Sequence, residues 1–345
     1  MAHMTSILES AVKLNNGRQM PLLGLGTWQN KQPGSVQDAI ETAITAGYRH
    51  FDTAYLYRNE AEIGEAIKAQ IQQGKVKRED LFIVTKLWLT FYSPEDVLVG
   101  FNKSLEALQL DYVDLYLMHS PMALQFLFQR QGDEIFPKKD EELLFSDTDY
   151  VDTWKAMESL VSSGRVKSIG VSNFNISQLQ RLLSVAKIPP AVNQVELHPY
   201  LVQSDLVKFC KANKITLTAF SPFGCPGRPK EFHRGATDPE KLLEDPVIND
   251  IAKKHQRTPA QILLRFHVQQ DIAVIPKSAS PKRILENTKV FDFFLDEDDM
   301  KALKSLDKGW RCCIIEEMKS HPFFPFKDSY VSWRACEGIS EVENK

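Results

Sequence analysis

The sequence predicts a single (β/α)8 barrel, and three observations carry that fold class. Eight short, β-branched runs alternate with amphipathic stretches along the 345 residues. Several of the runs are apolar almost throughout, LFIVTKL and AVIPK among them, as strands buried on both faces are. The third observation is negative: no G-x-G-x-x-G occurs. Gly24-Leu25-Gly26 lacks the third glycine and is followed by Thr27-Trp28-Gln29, so any dinucleotide must be held by other means than the usual fingerprint. Eight units in a chain of this length fit a closed barrel better than two doubly wound halves.

The expected strands are residues 22–27, 48–53, 81–87, 112–118, 166–171, 191–196, 216–220 and 272–276. Helices are expected between them. Phe101, Leu105 and Leu108 recur at helical spacing, as do Trp154, Met157 and Val161. Ser93-Pro94-Glu95-Asp96 offers an N-cap, a proline at the first helical position and acids in the first turn, and Ser280-Pro281 repeats the cap and proline. The expected organisation is an expression remnant and N-terminal arm over residues 1–8, the barrel over 9–326, and a C-terminal extension over 327–345.

Composition narrows the function classes. The net charge is -3 and the pI about 6.3, against a general nucleic-acid binder. No run of 18 apolar residues predicts a membrane span. The N-terminus lacks the build of a signal peptide. Five cysteines without a CxxC spacing suit a reducing compartment, so a cytoplasmic protein with no metal is expected.

In a barrel, chemistry gathers where the carboxyl ends of the strands converge. The second expected strand ends at Asp52, the third carries Lys86 near its end and the fourth ends at His119, while Tyr57 follows Asp52 by one loop step. Read singly, Asp52 could cap a helix, His119 could be structural and Tyr55 could compete with Tyr57. Lys86 resists such a reading, because an ammonium in an apolar strand needs an anion, and Asp52 on the neighbouring strand supplies one. Together the four make a proton donor, Tyr57, whose pKa the cation would lower. His119 would grip a carbonyl oxygen. Such a site needs electrons from elsewhere, and a hydride cofactor fits. The eighth strand runs into Lys277-Ser278-Ala279-Ser280-Pro281-Lys282-Arg283, a basic turn suited to phosphate.

At these residues the chain resembles the aldo-keto reductases, especially the vertebrate aldose and aldehyde reductase branch and its arthropod relatives. The likeness runs from Val12 to Phe326 through GLGTWQ, GYRHFDTAYLYRNEAEIGEAI, IVTKLW, DYVDLYLMHSP, IGVSNFN, AVNQVELHPYL and IPKSASPKRILEN, in order. The resemblance implies a catalytic tetrad of Asp52, Tyr57, Lys86 and His119, and a monomer that reduces aldehydes and ketones with NADPH. It implies cofactor contacts from Thr27, Trp28, Asp52, Phe220, Ser221 and Phe223, with the segment 221–227 folded over the pyrophosphate. Ser172, Asn173 and Gln194 would meet the nicotinamide carboxamide. Lys277, Ser278, Arg283 and Asn287 would take the adenosine end, with Lys277 and Arg283 on the 2′-phosphate and Glu286 on the adenine. Trp28, Leu56, Trp88, His119, Ser120, Trp310, Cys313 and Ile315 would line the substrate pocket.

Two departures stand out. Phe220 takes the place of a stacking tyrosine, and Ser120 that of a tryptophan. The second removes an aromatic wall. Trp28, Trp88, Phe126, Phe128 and Ile315 then suggest bulky apolar carbonyls: aromatic or lipid aldehydes, or steroid ketones such as a 3-keto ecdysteroid. The long segment 122–149 is expected on the pocket rim. The alternative reading is a non-catalytic binding or structural protein on this fold, and the intact tetrad argues against it.

Overall fold

The apolar runs become strands because only a parallel sheet wrapped in helices buries both of their faces. The computed structural model describes residues 6–29, 34–129, 132–228, 238–239 and 241–327. In it the runs form β1 (Gly24–Gly26), β2 (His50–Asp52), β3 (Phe82–Leu87), β4 (Leu115–Met118), β5 (Ile169–Ser172), β6 (Val192–Glu196), β7 (Thr216–Phe220) and β8 (Ala273–Val274). The strands are parallel and lie side by side in chain order. Parallel bridges Leu23↔Val274 and Gly26↔Lys277 bring the last strand back to the first, closing the barrel. The closure is tight. A Cβ on Gly26 would stand 2.6 Å from the Ile275 carbonyl oxygen, so only glycine lets the two backbones meet there.

Helices α1 (Ser35–Thr45), α2 (Glu60–Gln72), α3 (Val97–Leu108), α4 (Tyr150–Ser162), α5 (Ile176–Leu183), α6 (Ser204–Ala212), α7 (Pro246–His255), α8 (Pro259–Val268), α9 (Pro281–Asn287) and α10 (Glu297–Lys304) follow the strands. Phe101, Leu105 and Leu108 are the buried stripe of α3, and Trp154 and Met157 belong to that of α4. Each such side chain contributes roughly 1.5–3 kcal/mol by leaving water. Ser280 caps α9, its hydroxyl 3.5 Å from the Arg283 N–H, with Pro281 at the first position. Ser93 does not act in that way. Residues 93–96 form a turn in which the main-chain oxygen of Ser93 accepts from Asp96 and Val97, so α3 begins three residues after Pro94. A local turn has taken the hydrogen bonds that the cap would have made.

An antiparallel hairpin, Ala11–Lys13 with Gln19–Pro21, precedes β1. Its tip reaches the amino ends of later strands through Asn15 to the Pro190 carbonyl and Asn16 to Lys167 and Ser168. The opposite end of the barrel is therefore the open one. Over it run residues 122–129 and 132–149, in two small antiparallel ribbons, and residues 310–327. The proposed extension lies outside the described residues from 328 onward. Among the described residues no helix is long and apolar enough to cross a membrane.

Candidate active site

Four strand ends deliver polar side chains to one spot. Lys86 sits near the carboxyl end of the largely apolar β3 and is 1% exposed. A buried ammonium survives only with its three N–H groups engaged, and they are. Nζ donates to Asp52 Oδ1 at 2.6 Å, to the Thr53 carbonyl at 2.8 Å and to Tyr57 Oη at 3.3 Å. Asp52 closes β2, and its other oxygen accepts from Gln194 Nε2 at 2.7 Å. Tyr57 belongs to the one-turn helix Tyr55–Tyr57 that follows β2. Tyr55 is turned into the core against Phe91, ring centroids 5.1 Å apart, so Tyr57 alone of the two reaches Lys86.

Electrostatics at Tyr57 correct one expectation. The cation does not lower the phenol's pKa: burial pushes it well above the ordinary value, and the Asp52 carboxylate and Cys313 add to that. The Lys86 charge is spent on Asp52, its nearer partner, so the pair offers the hydroxyl little net positive field. Burial also lowers the pKa of Lys86, against the opposing pull of Asp52. His119, just past β4, is held well below its usual value by burial and then by Lys86. Its ring is thus neutral. It lies edge-on to Tyr57 at 5.9 Å and to Trp88 at 5.3 Å, and its buried Nδ1 has no partner. The residue as a whole is half-buried, so part of the ring, though not Nδ1, stays accessible to a substrate oxygen.

Around this centre lie the expected cofactor contacts. Ser172 ends β5, and its hydroxyl donates to the Gln194 carbonyl at 2.8 Å. Asn173, in left-handed backbone (φ 62°), donates to the His119 carbonyl at 3.0 Å. Gln194 turns its amide N–H toward Asp52, leaving its side-chain oxygen as the group for a carboxamide. Thr27 spends its hydroxyl tying β1 to the Asp52 carbonyl at 2.9 Å. Trp28 and Phe220 are half-buried, and a half-exposed ring can stack on a planar heterocycle. Ser221 and Phe223 open the loop after β7, with Ser221 left-handed at φ 49°. Past β8, Lys277 and Arg283 are exposed, and among the described residues neither has an ion pair. Ser278 and Asn287 are buried, while Glu286 lies 3.8 Å from Lys282. Amides at the centre, an aromatic face beside them and two free cations at β8 fit a nicotinamide dinucleotide carrying an extra phosphate.

The substrate side departs from expectation at several residues. Ser120 is buried and held at both main-chain groups by Tyr92 Oη, at 3.1 Å from its N–H and 2.5 Å from its carbonyl. Trp88 is 2% exposed, its indole N–H on the Ile135 carbonyl at 2.7 Å and its ring against Phe136 at 5.3 Å. Ile135 and Phe136 thus cover Trp88, one of the expected pocket walls. Phe126 packs on Phe91 in the core, 5.0 Å between centroids. The side chain of Phe128 lies outside the described residues. Trp310 is a support and not a wall. It is buried in a second apolar cluster with Tyr200 and Leu242, beneath Gly224 of the β7 loop. Leu56, Cys313 and Ile315 are half-buried, and Cys313 lies 3.7 Å from Ser221 Oγ.

Three groups escaped the sequence reading. The Thr53 carbonyl shares Lys86. Phe136 lies inside a segment with no periodicity to mark it. Glu60 opens α2, is buried and accepts from Thr85 at 2.6 Å and Ser104 at 3.0 Å. Burial raises its pKa to about 7. A first-turn glutamate normally faces water, so nothing in the pattern distinguished it.

The Aldo/keto reductase family matches residues 22–308. Aldo-keto reductase family 1 member A1 from Homo sapiens is 46% identical over 334 residues, covering 93% of this chain and 99% of its own. Its Gallus gallus counterpart is 47% identical over 330 residues, covering 92% and 98%. Among solved structures, the aldose reductase of Schistosoma japonicum superposes with a TM-score of 0.84 at 42% identity, covering 92% of this chain and 99% of that one.

Proposed function

Because the chain belongs to the aldo/keto reductase family, and so to the carbonyl oxidoreductases, we propose that it reduces bulky apolar aldehydes and ketones with NADPH, taking the proton from Tyr57. The observation that carries this reading is the Asp52–Lys86–Tyr57 chain of hydrogen bonds beside a neutral His119. Bound NADPH supplies the hydride. Ser172, Asn173 and the free oxygen of Gln194 would orient the carboxamide, Phe220 would stack on the ring, and Lys277 and Arg283 would hold the 2′-phosphate. His119 then orients the substrate oxygen toward Tyr57 Oη. Tyr57 releases its proton to that oxygen as negative charge develops on it, and the hydrogen bond from Lys86 Nζ, more than its net charge, steadies the phenolate left behind. The hydrogen-bonded Asp52 keeps the ammonium in place through this exchange.

The substrate preference rests on aromatic surface. Trp28 follows β1 and is half-exposed, and Leu56 and Ile315 add apolar area. Burying such area contributes about 25 cal/mol per Å² before other costs, which favours an aromatic aldehyde or a steroid ketone, a 3-keto ecdysteroid included, over a sugar. The enzyme acts as a monomer in the reducing cytosol, which suits the four described cysteines, none of them in a disulfide.

The test is NADPH oxidation with an aromatic aldehyde, a steroid ketone and an aldose, by the native chain and by Tyr57→Phe. The variant keeps the ring and loses the proton, so turnover should fall about 10²–10⁴-fold with NADPH affinity retained. Near-normal turnover would remove Tyr57 from the role, and a native preference for the aldose would overturn the substrate class.

A further inference from the structure

Three cysteines distant in sequence meet beside the site. Cys225 lies in the loop after β7, and Cys312 and Cys313 lie in the carboxyl-terminal segment. Their sulfur atoms are all within 4.8 Å of one another, and Sγ of Cys312 and Sγ of Cys313 are 3.6 Å apart. Tetrahedral zinc holds thiolate sulfur at about 2.3 Å, which sets sulfur–sulfur edges of roughly 3.8 Å. The cluster is within small side-chain rotations of that geometry.

Its backbone is already fixed. Glu196, at the end of β6, accepts from the N–H of Cys312 at 2.7 Å and of Cys313 at 3.0 Å, and pairs with His198 Nε2 at 2.8 Å. With its oxygens so engaged, the carboxylate serves as the support of the adjacent cysteines. The Arg311 guanidinium, on the residue next to Cys312, offsets the charge of added thiolates. Cys225 and Cys313 are only half-buried, which leaves solvent a way in.

We propose that Cys225, Cys312 and Cys313 form a three-thiolate site for a thiophilic divalent cation of the zinc class, with Ser221 Oγ or water as fourth ligand. Soft sulfur donors select such an ion over magnesium or calcium. Binding releases the thiol protons to solvent and moves no electrons. The ion ties the β7 loop to the carboxyl-terminal segment, next to Tyr57.

The reduced full chain, without cofactor and under nitrogen, is titrated with cobalt(II) and then with zinc(II). One equivalent of cobalt should bind with thiolate charge-transfer and tetrahedral d–d bands, and zinc should displace it with release of protons. Cys225→Ser and Cys312→Ser, checked for native circular dichroism, should each weaken binding by more than the roughly 10–100-fold that loss of a supporting group costs. Cys210→Ser, a buried cysteine elsewhere, should bind as the native chain does. Absence of the charge-transfer band, or equal binding by Cys225→Ser and Cys312→Ser, overturns the site.

Discussion

Tyr57 keeps its proton because its hydroxyl is buried beside an ion pair whose charges nearly cancel. The consequence is a pH profile. A phenol with a raised pKa is fully protonated below that value and loses its proton only as the pH climbs past it. A histidine with a depressed pKa is neutral everywhere above that value. Reduction should therefore hold a constant kcat/KM from below about pH 6.5 to about pH 10, the ordinary values of the two groups. The measurement is kcat/KM for an aromatic aldehyde across that range at saturating NADPH. A titration near neutrality would mean that Lys86 lowers the tyrosine after all. Lys86, Asp52 and Tyr57 were legible as a group because a lysine in an apolar strand demands partners. The sign of the tyrosine's shift was not legible, since it depends on how far burial outweighs a charge 3.3 Å away.

At the scale of elements, each strand ends in a group with a task, and the loop after β8 carries the two exposed cations Lys277 and Arg283. Proposed for the 2′-phosphate, they distinguish the two dinucleotides. Arg283→Ala should weaken NADPH by roughly 1.5–3 kcal/mol, the worth of a charge-assisted bond, and change NADH little. Titration of the protein fluorescence with each cofactor measures this, and equal weakening of both would move the phosphate elsewhere. The eight strands were readable because burial on both faces keeps most of their positions apolar, with few polar residues to blur them. The N-terminal hairpin was missed although Asn16-Gly17, with Gly17 at φ 88°, is a strong turn signal. Its flanking runs are only three residues each, too short for alternation to register.

For the whole molecule, closure of the barrel concentrates at Gly26. Its backbone lies against Ile275 and pairs with Lys277, so a single residue links the stability of the fold to the placement of a proposed cofactor cation. Gly26→Ala should cost about 1–3 kcal/mol, as overpacking does, and should weaken NADPH by displacing Lys277. Urea unfolding and cofactor titration of the same variant check both. Unchanged stability would show that the seam between β8 and β1 yields easily. The mouth that this seam helps to form is roofed by residues 132–149 and 310–327, which meet at Lys138 and Glu317, 3.1 Å apart. The Ala123 N–H also donates to His321 Nε2, at 3.2 Å.

The sequence by itself determined the strand order, the barrel and the four groups that stand at its mouth, because both-face burial and strand-end polarity are written in local patterns. Only the tertiary structure decided what covers those groups. Phe136 over Trp88, Tyr92 clasping Ser120 and Trp310 beneath Gly224 are contacts between residues far apart in sequence, governed by packing and not by periodicity. The three sulfurs follow the same rule. Spacing along the chain showed no metal motif, since Cys225 lies 87 residues before Cys312, and it is the barrel's closure that brings their loops to one place.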